Sequence, residues 1–429
     1  MTVPIIGFAG LTHLGINTQA AAAAHGFDTV GFHADEELVA RLSSGTLPIH
    51  EPSLPELFDE HRQRLHFSAD PEALSECDLI YISVDVPTND HGRSNLRTVE
   101  NMIDTVKPLL REDALLVILC QVPPGFTRVV EFPLGRLYYQ VETLIFGRAV
   151  ERAMHPERFI VGSADPNAPL PPSFETFLSA FECPILPMRY ESAELAKISI
   201  NMCLVSSVSV ANTMAELCEK VGADWSEVVP ALKLDKRIGQ YAYLKPGLGI
   251  AGGNLERDLA TVVGLADGCG SNAEVVKAWI ADSAYRKDWV LMRFDEIEQS
   301  GFEMKTLGVL GLAYKENTAS IKNSAAIALL KNLKDRGSGY KITAYDPEVK
   351  PEQIPFKGVA ITQSALDACQ NADIVLLMTP WPEFAELAPA MLAEEMKGNI
   401  IIDPYRVLDP KECAAEGLRH LTLGRPLDH

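Results

Sequence analysis

The chain has 429 residues, of which 47% are hydrophobic and 22% charged, and its formal net charge is −20. Length and composition are those of a globular protein with ample core and room for two to three domains of about 100–200 residues each. An acidic chain without a basic stripe is a poor match for nucleic acid or an anionic membrane, and no uninterrupted apolar run reaches the roughly 18–20 residues that span a bilayer. The opening MTVPIIGFAG lacks a basic leader, so it does not read as a secretory signal and the expected location is the cytoplasm. Eight scattered cysteines form no C-x-x-C pair or zinc spacing, and ten histidines show no paired motif. Reduced thiols and no metal are the expectation.

In chain order, PIIGFAG (Pro4–Gly10) predicts a buried strand and NTQAAAAAHG (Asn17–Gly26) a helix ending at Gly26. DTVGFH (Asp28–His33) predicts a second strand, DEELVARLSSG (Asp35–Gly45) a second helix, and DLIYISV (Asp78–Val84) and ALLVILC (Ala114–Cys120) two further strands. Such alternation points to a parallel sheet covered on both faces. From Ser192 to Val221 the pattern is apolar at helical spacing without Pro or Gly, a helix of roughly 45 Å that is too long to cap one small domain. Helix continues from Glu274 to Glu298. Strands return at Thr306–Tyr314, Lys341–Pro347, Asp373–Thr379 and Asn399–Pro404, with a helix at Ser324–Gly337. The expected fold is therefore α/β: two doubly wound, Rossmann-like domains (1–190 and 301–429) joined by a helical connector, 191–300.

After the first strand comes GLTHLG, Gly10 to Gly15, a G-x-G-x-x-G with Thr12 in the second glycine position. In that fingerprint the first Gly makes the turn, the second admits pyrophosphate and the third packs helix on strand. Thr12 adds a Cβ at the point of close approach and a hydroxyl that could donate to a phosphate. The second strand ends in His33 rather than the ribose-binding acid, which leaves both NAD and NADP open. On the long helix Lys197 and Asn201 lie four apart, hence on one face, inside LAKISINMCLV. An unpaired lysine in so apolar a run would be costly to bury. Further on, GLGIAGGNLERDL (Gly247–Leu259) brings glycines, then a lone Asn254 and an Asp258 that could also cap a following helix.

Several blocks together resemble the UDP-glucose/GDP-mannose dehydrogenase family, in order and over essentially the whole chain. IHEPSLPEL (Ile49–Leu57) resembles its E-P-G-L block, VPTNDHG (Val86–Gly92) its T-P-T block and QVPPGFTR (Gln121–Arg128) its S-T-V-P block. SAELAKISIN (Ser192–Asn201) resembles S-A-E-x-x-K-x-x-x-N, and LGLAYKENT (Leu310–Thr318) with AYDP (Ala344–Pro347) resembles the G-L-A-F-K-x-N-T region. The resemblance implies an NAD(P)-dependent oxidoreductase, a homodimer pairing through the connector, and oxidation of a nucleotide-sugar CH–OH. Family members take the C6 alcohol to a carboxylate with two NAD⁺ through a cysteine thiohemiacetal and a thioester.

It also implies a site. Lys197 and Asn201 hold water and stabilise a developing oxyanion, Asp258 positions or accepts a proton, and Glu142 stands for the base of thioester hydrolysis, although Val141 and Phe146 replace its neighbours. Gly10, Thr12, His13, Leu14, Gly15, His33, Val86, Gln121 and Lys322 fall at cofactor positions. Arg237, Lys245, Gly249, Lys315 and Arg406 fall at substrate positions, with Tyr405 where the family has an arginine and Arg406 beside it as the substitute. The cysteine of P-G-x-G-x-G-G-S-C-x-x-K-D aligns on Asn254, and the lysine on Arg257. A carboxamide donates and accepts hydrogen bonds but is not a nucleophile. The chain is thus expected to oxidise an alcohol without the thioester step, stopping at the aldehyde or passing through its hydrate. The alternative is a degenerate enzyme that binds a nucleotide sugar or a protein partner.

Overall fold

The computed structural model describes residues 3–87, 94–251, 253–302, 304–337 and 339–426; residues 88–92 of the T-P-T-like block lie outside the described residues. The chain divides into two compact units, one up to Ile200 and one from Asn201 on. The first is built on β1 (Ile6–Ala9), β2 (Thr29–Phe32), β3 (Leu65–Ser68), β4 (Leu79–Ile82), β5 (Leu115–Ile118), β6 (Leu137–Gln140), β7 (Phe159–Ser163) and β8 (Ile185–Arg189), in the spatial order β3-β2-β1-β4-β5-β6-β7-β8. Strands such as LIYI and LLVI are buried along their whole length, the pattern of strands covered on both faces. All pairings are parallel except β6 with β7. The edge strand β8, ILPMR, is largely exposed and carries Pro187, which an edge tolerates because no ladder donor is needed there.

The second unit holds a six-stranded, all-parallel sheet of β9 (Thr306–Leu310), β10 (Lys341–Tyr345), β11 (Val359–Ile361), β12 (Ile374–Leu377), β13 (Ile400–Ile402) and β14 (Arg419–Leu421), ordered β11-β10-β9-β12-β13-β14. Counted from its own first strand this is the order 3-2-1-4-5-6, the dinucleotide-fold order that the first six strands of the chain also follow.

The connector is one helix, Tyr190–Val221, of 32 residues. It contains an 18-residue window of mean hydropathy 1.4 and so, by length and composition alone, could cross a bilayer. Its buried face argues otherwise. Glu194, Asn201, Ser209 and Asn212 are all buried on it, and its apolar residues join three separate cores: Tyr190 and Ala193 in one, Val205 in another, Ala211, Ala215 and Cys218 in a third. Beyond it, the helix expected over Glu274–Glu298 is present as two pieces, Glu274–Lys287 and Trp289–Gln299, with Asp288 between them.

Candidate functional site

The turn after β1 is built as the fingerprint requires at two of its three glycine positions. Gly10 has φ +116°, and a Cβ there would stand 2.7 Å from Val84 Cγ1. A Cβ on Gly15 would stand 1.9 Å from the Gly10 carbonyl oxygen, so no side chain fits. Thr12 sits at the N-cap of the helix His13–Ala24 without capping it, because its hydroxyl donates to the Ser83 carbonyl at 2.9 Å. The hydroxyl expected to reach a phosphate is thus held by β4's end. The uncapped first turn of that helix keeps the glycine cradle suited to a pyrophosphate, and the residues present fit NAD.

His13 opens the helix, and its Nε2 lies 2.7 Å from Glu51 Oε1, its ring 4.1 Å from that of Phe146. Glu51, from the E-P-S-L block, is buried and accepts from the backbone N–H of Gly147 (2.9 and 3.0 Å) and Ala149 (3.2 Å). Burial would raise its carboxyl, but the His13 bond and the two amides outweigh that and hold it below the usual carboxylate range. His33 Nδ1 accepts from the Asp35 N–H at 3.1 Å, which leaves Nε2 as the proton-bearing nitrogen. Asp35 itself caps the next helix through the Glu37 and Leu38 amides. Leu14 and Val86 pack partly buried on the sheet's cores, and Gln121 is half-buried just past β5.

Lys197 is paired: its Nζ lies 3.2 Å from Glu142 Oε2, with both side chains mostly buried. The other Glu142 oxygen accepts from the Leu144 N–H. One turn earlier, Glu194 accepts from the Gly125 and Thr127 amides at 2.6 and 2.8 Å and so fastens the PPGFTR loop to the connector. Burial pushes the Glu194 carboxyl up in spite of these bonds.

In the second unit the helix expected to start after Asp258 starts five residues earlier, at Asn254, with Gly253 (φ +104°) as its N-cap. Asp258 therefore lies inside the helix and caps nothing. It is buried; Asn201 Nδ2 donates to one of its oxygens and Arg257 Nε lies 3.3 Å from the other. Asn254 is exposed at the first helical position. The preceding glycine loop is fixed from two sides. Asn212, on the connector, accepts the Gly247 N–H at 2.8 Å, and Ser283 Oγ accepts the Ile250 N–H at 2.7 Å. Tyr405 faces the same loop, its Cε1 3.6 Å from where a Gly247 Cβ would lie, and burial pushes its hydroxyl pKa up.

The remaining residues are less convergent. Gly249 (φ +74°) has no room for a side chain, since a Cβ would meet the Ser283 carbonyl at 2.4 Å. Lys322 lies across Gly253, its Cε 3.1 Å from a Cβ built there. Lys315 is half-buried after β9 and Lys245 exposed just before the loop. The exposed Arg237 is paired with Asp235 at 2.6 Å. Arg406 does not take the place expected beside Tyr405: its guanidinium bonds Asp224 at 3.0 Å and Ser226 at 2.6 Å, at the start of the helix Trp225–Leu234. Glu51, Glu194, Asn212 and Ser283 were missed by sequence reasoning. The first two stand inside the quoted blocks as their acids, and Asn212 is a polar residue in the same apolar run as Asn201; its loop partner, and Ser283 altogether, carried no signal in the sequence.

A dinucleotide turn at a strand-order switch point in one unit, and a second doubly wound sheet with a glycine loop leading into a buried Asn–Asp pair in the other, are the parts expected of the class of two-sheet NAD-dependent dehydrogenases. Three models of one family match along the chain: the NAD-binding domain over residues 1–171, the central domain over 191–282 and the UDP-binding domain over 308–410. The chain belongs to the UDP-glucose/GDP-mannose dehydrogenase family. It is similar to the UDP-glucose 6-dehydrogenase TuaD of Bacillus subtilis, with 29% identity over 98% of this chain and 93% of that one. The UDP-glucose 6-dehydrogenase AglM of Haloferax volcanii is also 29% identical, over 94% of this chain and 97% of that one. Among solved structures, a UDP-glucose dehydrogenase from Pyrobaculum islandicum superposes with a TM-score of 0.84 at 26% identity, covering 96% of each chain.

Proposed function

We propose that this chain oxidises the primary alcohol of a UDP-sugar to the aldehyde with NAD⁺ and has lost the thioester route to the acid. The observation that carries the reading is Asn254, the residue at the first position of the helix that follows the glycine loop, where the family places its cysteine. NAD, when bound, takes the hydride leaving the sugar carbon. The hydroxyl proton goes to a protein base or to water, and the chain's own residues arrange that loss. Lys197, held by Glu142, stabilises the developing alkoxide. Asn201, one helical turn on, orients Asp258 through a direct hydrogen bond, and Asp258 positions the departing proton. Asn254 binds the sugar or the aldehyde hydrate by hydrogen bonds only.

Lys245 and Lys315 supply positive charge for the diphosphate, with Gly249 leaving room for it and Arg237 released from Asp235 on binding. Lys322 contributes to the cofactor side. The functional division follows residues 1–190 for NAD, 191–300 for pairing and 301–429 for the nucleotide sugar. Leu195, Val210, Met214, Leu217 and Val221 are exposed apolar residues of the connector helix, an unpartnered stripe that suits a homodimer. The eight free cysteines suit a reducing cytoplasm.

The test is reduced-nicotinamide absorbance with a panel of UDP-sugars, UDP-glucose first, with NAD⁺ and NADP⁺ in parallel. Turnover with NAD⁺ is expected, and none with any sugar would remove the enzymatic reading. The competing reading, a UDP-sugar binder without catalysis, draws support from the Thr12 hydroxyl already engaged with Ser83. Calorimetry that finds the sugar bound and NAD⁺ not bound would favour it.

A further inference from the structure

Glu256 stands two residues past Asn254, as the third residue of its helix. A glutamate there commonly reaches back to cap its own helix, but this one does not. Its Oε1 lies 3.0 Å from Lys287 Nζ, the last residue of the helix Glu274–Lys287, and its Oε2 accepts from Asn323 Nδ2. Lys287 also lies beside the loop itself, since its Cγ is 3.2 Å from where a Gly249 Cβ would be. Ser283, one turn earlier on the same helix face, holds the Ile250 amide. Asn323 has φ +55°, a backbone that presents its amide from a tight turn, and its neighbour Lys322 is the residue lying across Gly253.

We propose that Glu256 and Lys287 are positioning residues that brace the glycine loop at Gly249 and at the first turn of the helix that follows it, and tie both to the segment 320–324. The stem of Lys287 covers Gly249 while its ammonium holds Glu256, so the middle of the loop and the first turn of the helix after it are braced by one side chain. Glu256 then passes the constraint to Asn323, which keeps Lys322 over Gly253. The consequence is that Asn254 starts its helix from a set position, and the segment bearing Lys322 cannot move without the loop. The inference rests on the reading that this loop presents Asn254 to the sugar, and a small displacement of such a group is enough to slow a reaction strongly.

The test uses the full chain in four forms: wild type, Glu256→Ala, Lys287→Met and the charge swap Glu256→Lys with Lys287→Glu. Hydrogen exchange in 247–255 and 320–324 is expected to rise about tenfold in each single variant, with exchange in the first sheet unchanged, and to fall back toward wild type in the swap. With UDP-sugar and NAD⁺, kcat is expected to drop about tenfold in the single variants while KM for NAD⁺ stays constant, which a general loss of fold would not produce. Unchanged exchange in Glu256→Ala, or a swap no better protected than either single variant, overturns the clamp. Exchange that responds in a protein without turnover keeps the clamp and removes the proposed reaction. Turnover that is insensitive to both single variants, with exchange also unchanged, keeps the reaction and removes the clamp.

Discussion

In both sheets the first strand ends at a glycine in left-handed backbone, Gly10 (φ +116°) against Val84 and Gly311 (φ +92°) against Thr379, at the same point of the same strand order. What lies at the end of the second strand differs. In the second sheet Asp346 turns inward: its Oδ2 accepts from the Leu312 and Ala313 amides at 2.6 and 2.9 Å and from Trp381 Nε1 at 3.2 Å, and its Oδ1 from the Glu348 and Val349 amides. The carboxylate occupies the amides that such a turn would offer to a phosphate. In the first sheet the equivalent place holds His33, whose Nδ1 accepts the Asp35 N–H, so that strand end puts an imidazole, not a carboxylate, beside the turn. One strand order thus fills its switch point with a carboxylate in one copy and leaves it for a dinucleotide in the other, where the helix His13–Ala24 follows the glycine directly instead of after a long loop.

If the first unit serves a reaction and the Asp346 turn serves the fold, substitutions should separate along that line. Lys197→Ala is expected to lower kcat by about a hundred- to a thousandfold, roughly 3–4 kcal/mol of transition-state stabilisation, with NAD⁺ affinity within a few-fold of wild type; steady-state kinetics beside calorimetry checks both. Asp346→Ala should do the opposite. It leaves buried donors without their acceptor and should cost about 3 kcal/mol of stability in denaturant unfolding, while NAD⁺ binding persists. A Lys197 variant that is merely unstable, or an Asp346 variant of normal stability, would erase the contrast.

A smaller effect sharpens the first turn itself. Glu51, whose carboxyl is held low by His13 and two amides, contributes stability that is present above its unfolded value and is lost as pH falls through the folded one. Glu51→Gln should therefore be less stable than wild type by about 1 kcal/mol at pH 7, with the two curves converging below about pH 4. Unfolding curves that stay parallel from pH 7 to 3 would contradict this. The smallest expected change is His33→Asp, which supplies the ribose acid found in most such folds. NAD⁺ KM should fall about threefold, under 1 kcal/mol, and NADP⁺ should be rejected more strongly. A weaker NAD⁺ KM would mean that His33 Nε2 already makes the better contact.

Much of this was legible in the sequence because it depends on local pattern. The continuous apolar runs of β1, β4 and β5 signal strands buried on both faces, Gly10 and Gly15 mark the turn, and Lys197 and Asn201 stand out in an apolar helix. Resemblance to the family blocks then drew attention to Asn254. The edge strand β8 was not legible, since ILPMR is largely exposed and contains a proline. Nor was the start of the helix at Asn254: a preceding glycine without a capping side chain sends no signal, whereas Asp258 resembles a cap and is in fact buried against Asn201. Partners brought together by the tertiary fold, such as Asn212 with Gly247 or Arg406 with Asp224, cannot be read from spacing at all.

The proposed loss of the thiol route is tested most directly by stoichiometry: NADH formed per UDP-glucose consumed, with the protein's intact mass taken during turnover. The account predicts one NADH per sugar, an aldehyde or hydrate as product and no mass added to the chain. Two NADH per sugar together with a covalent sugar adduct would contradict it.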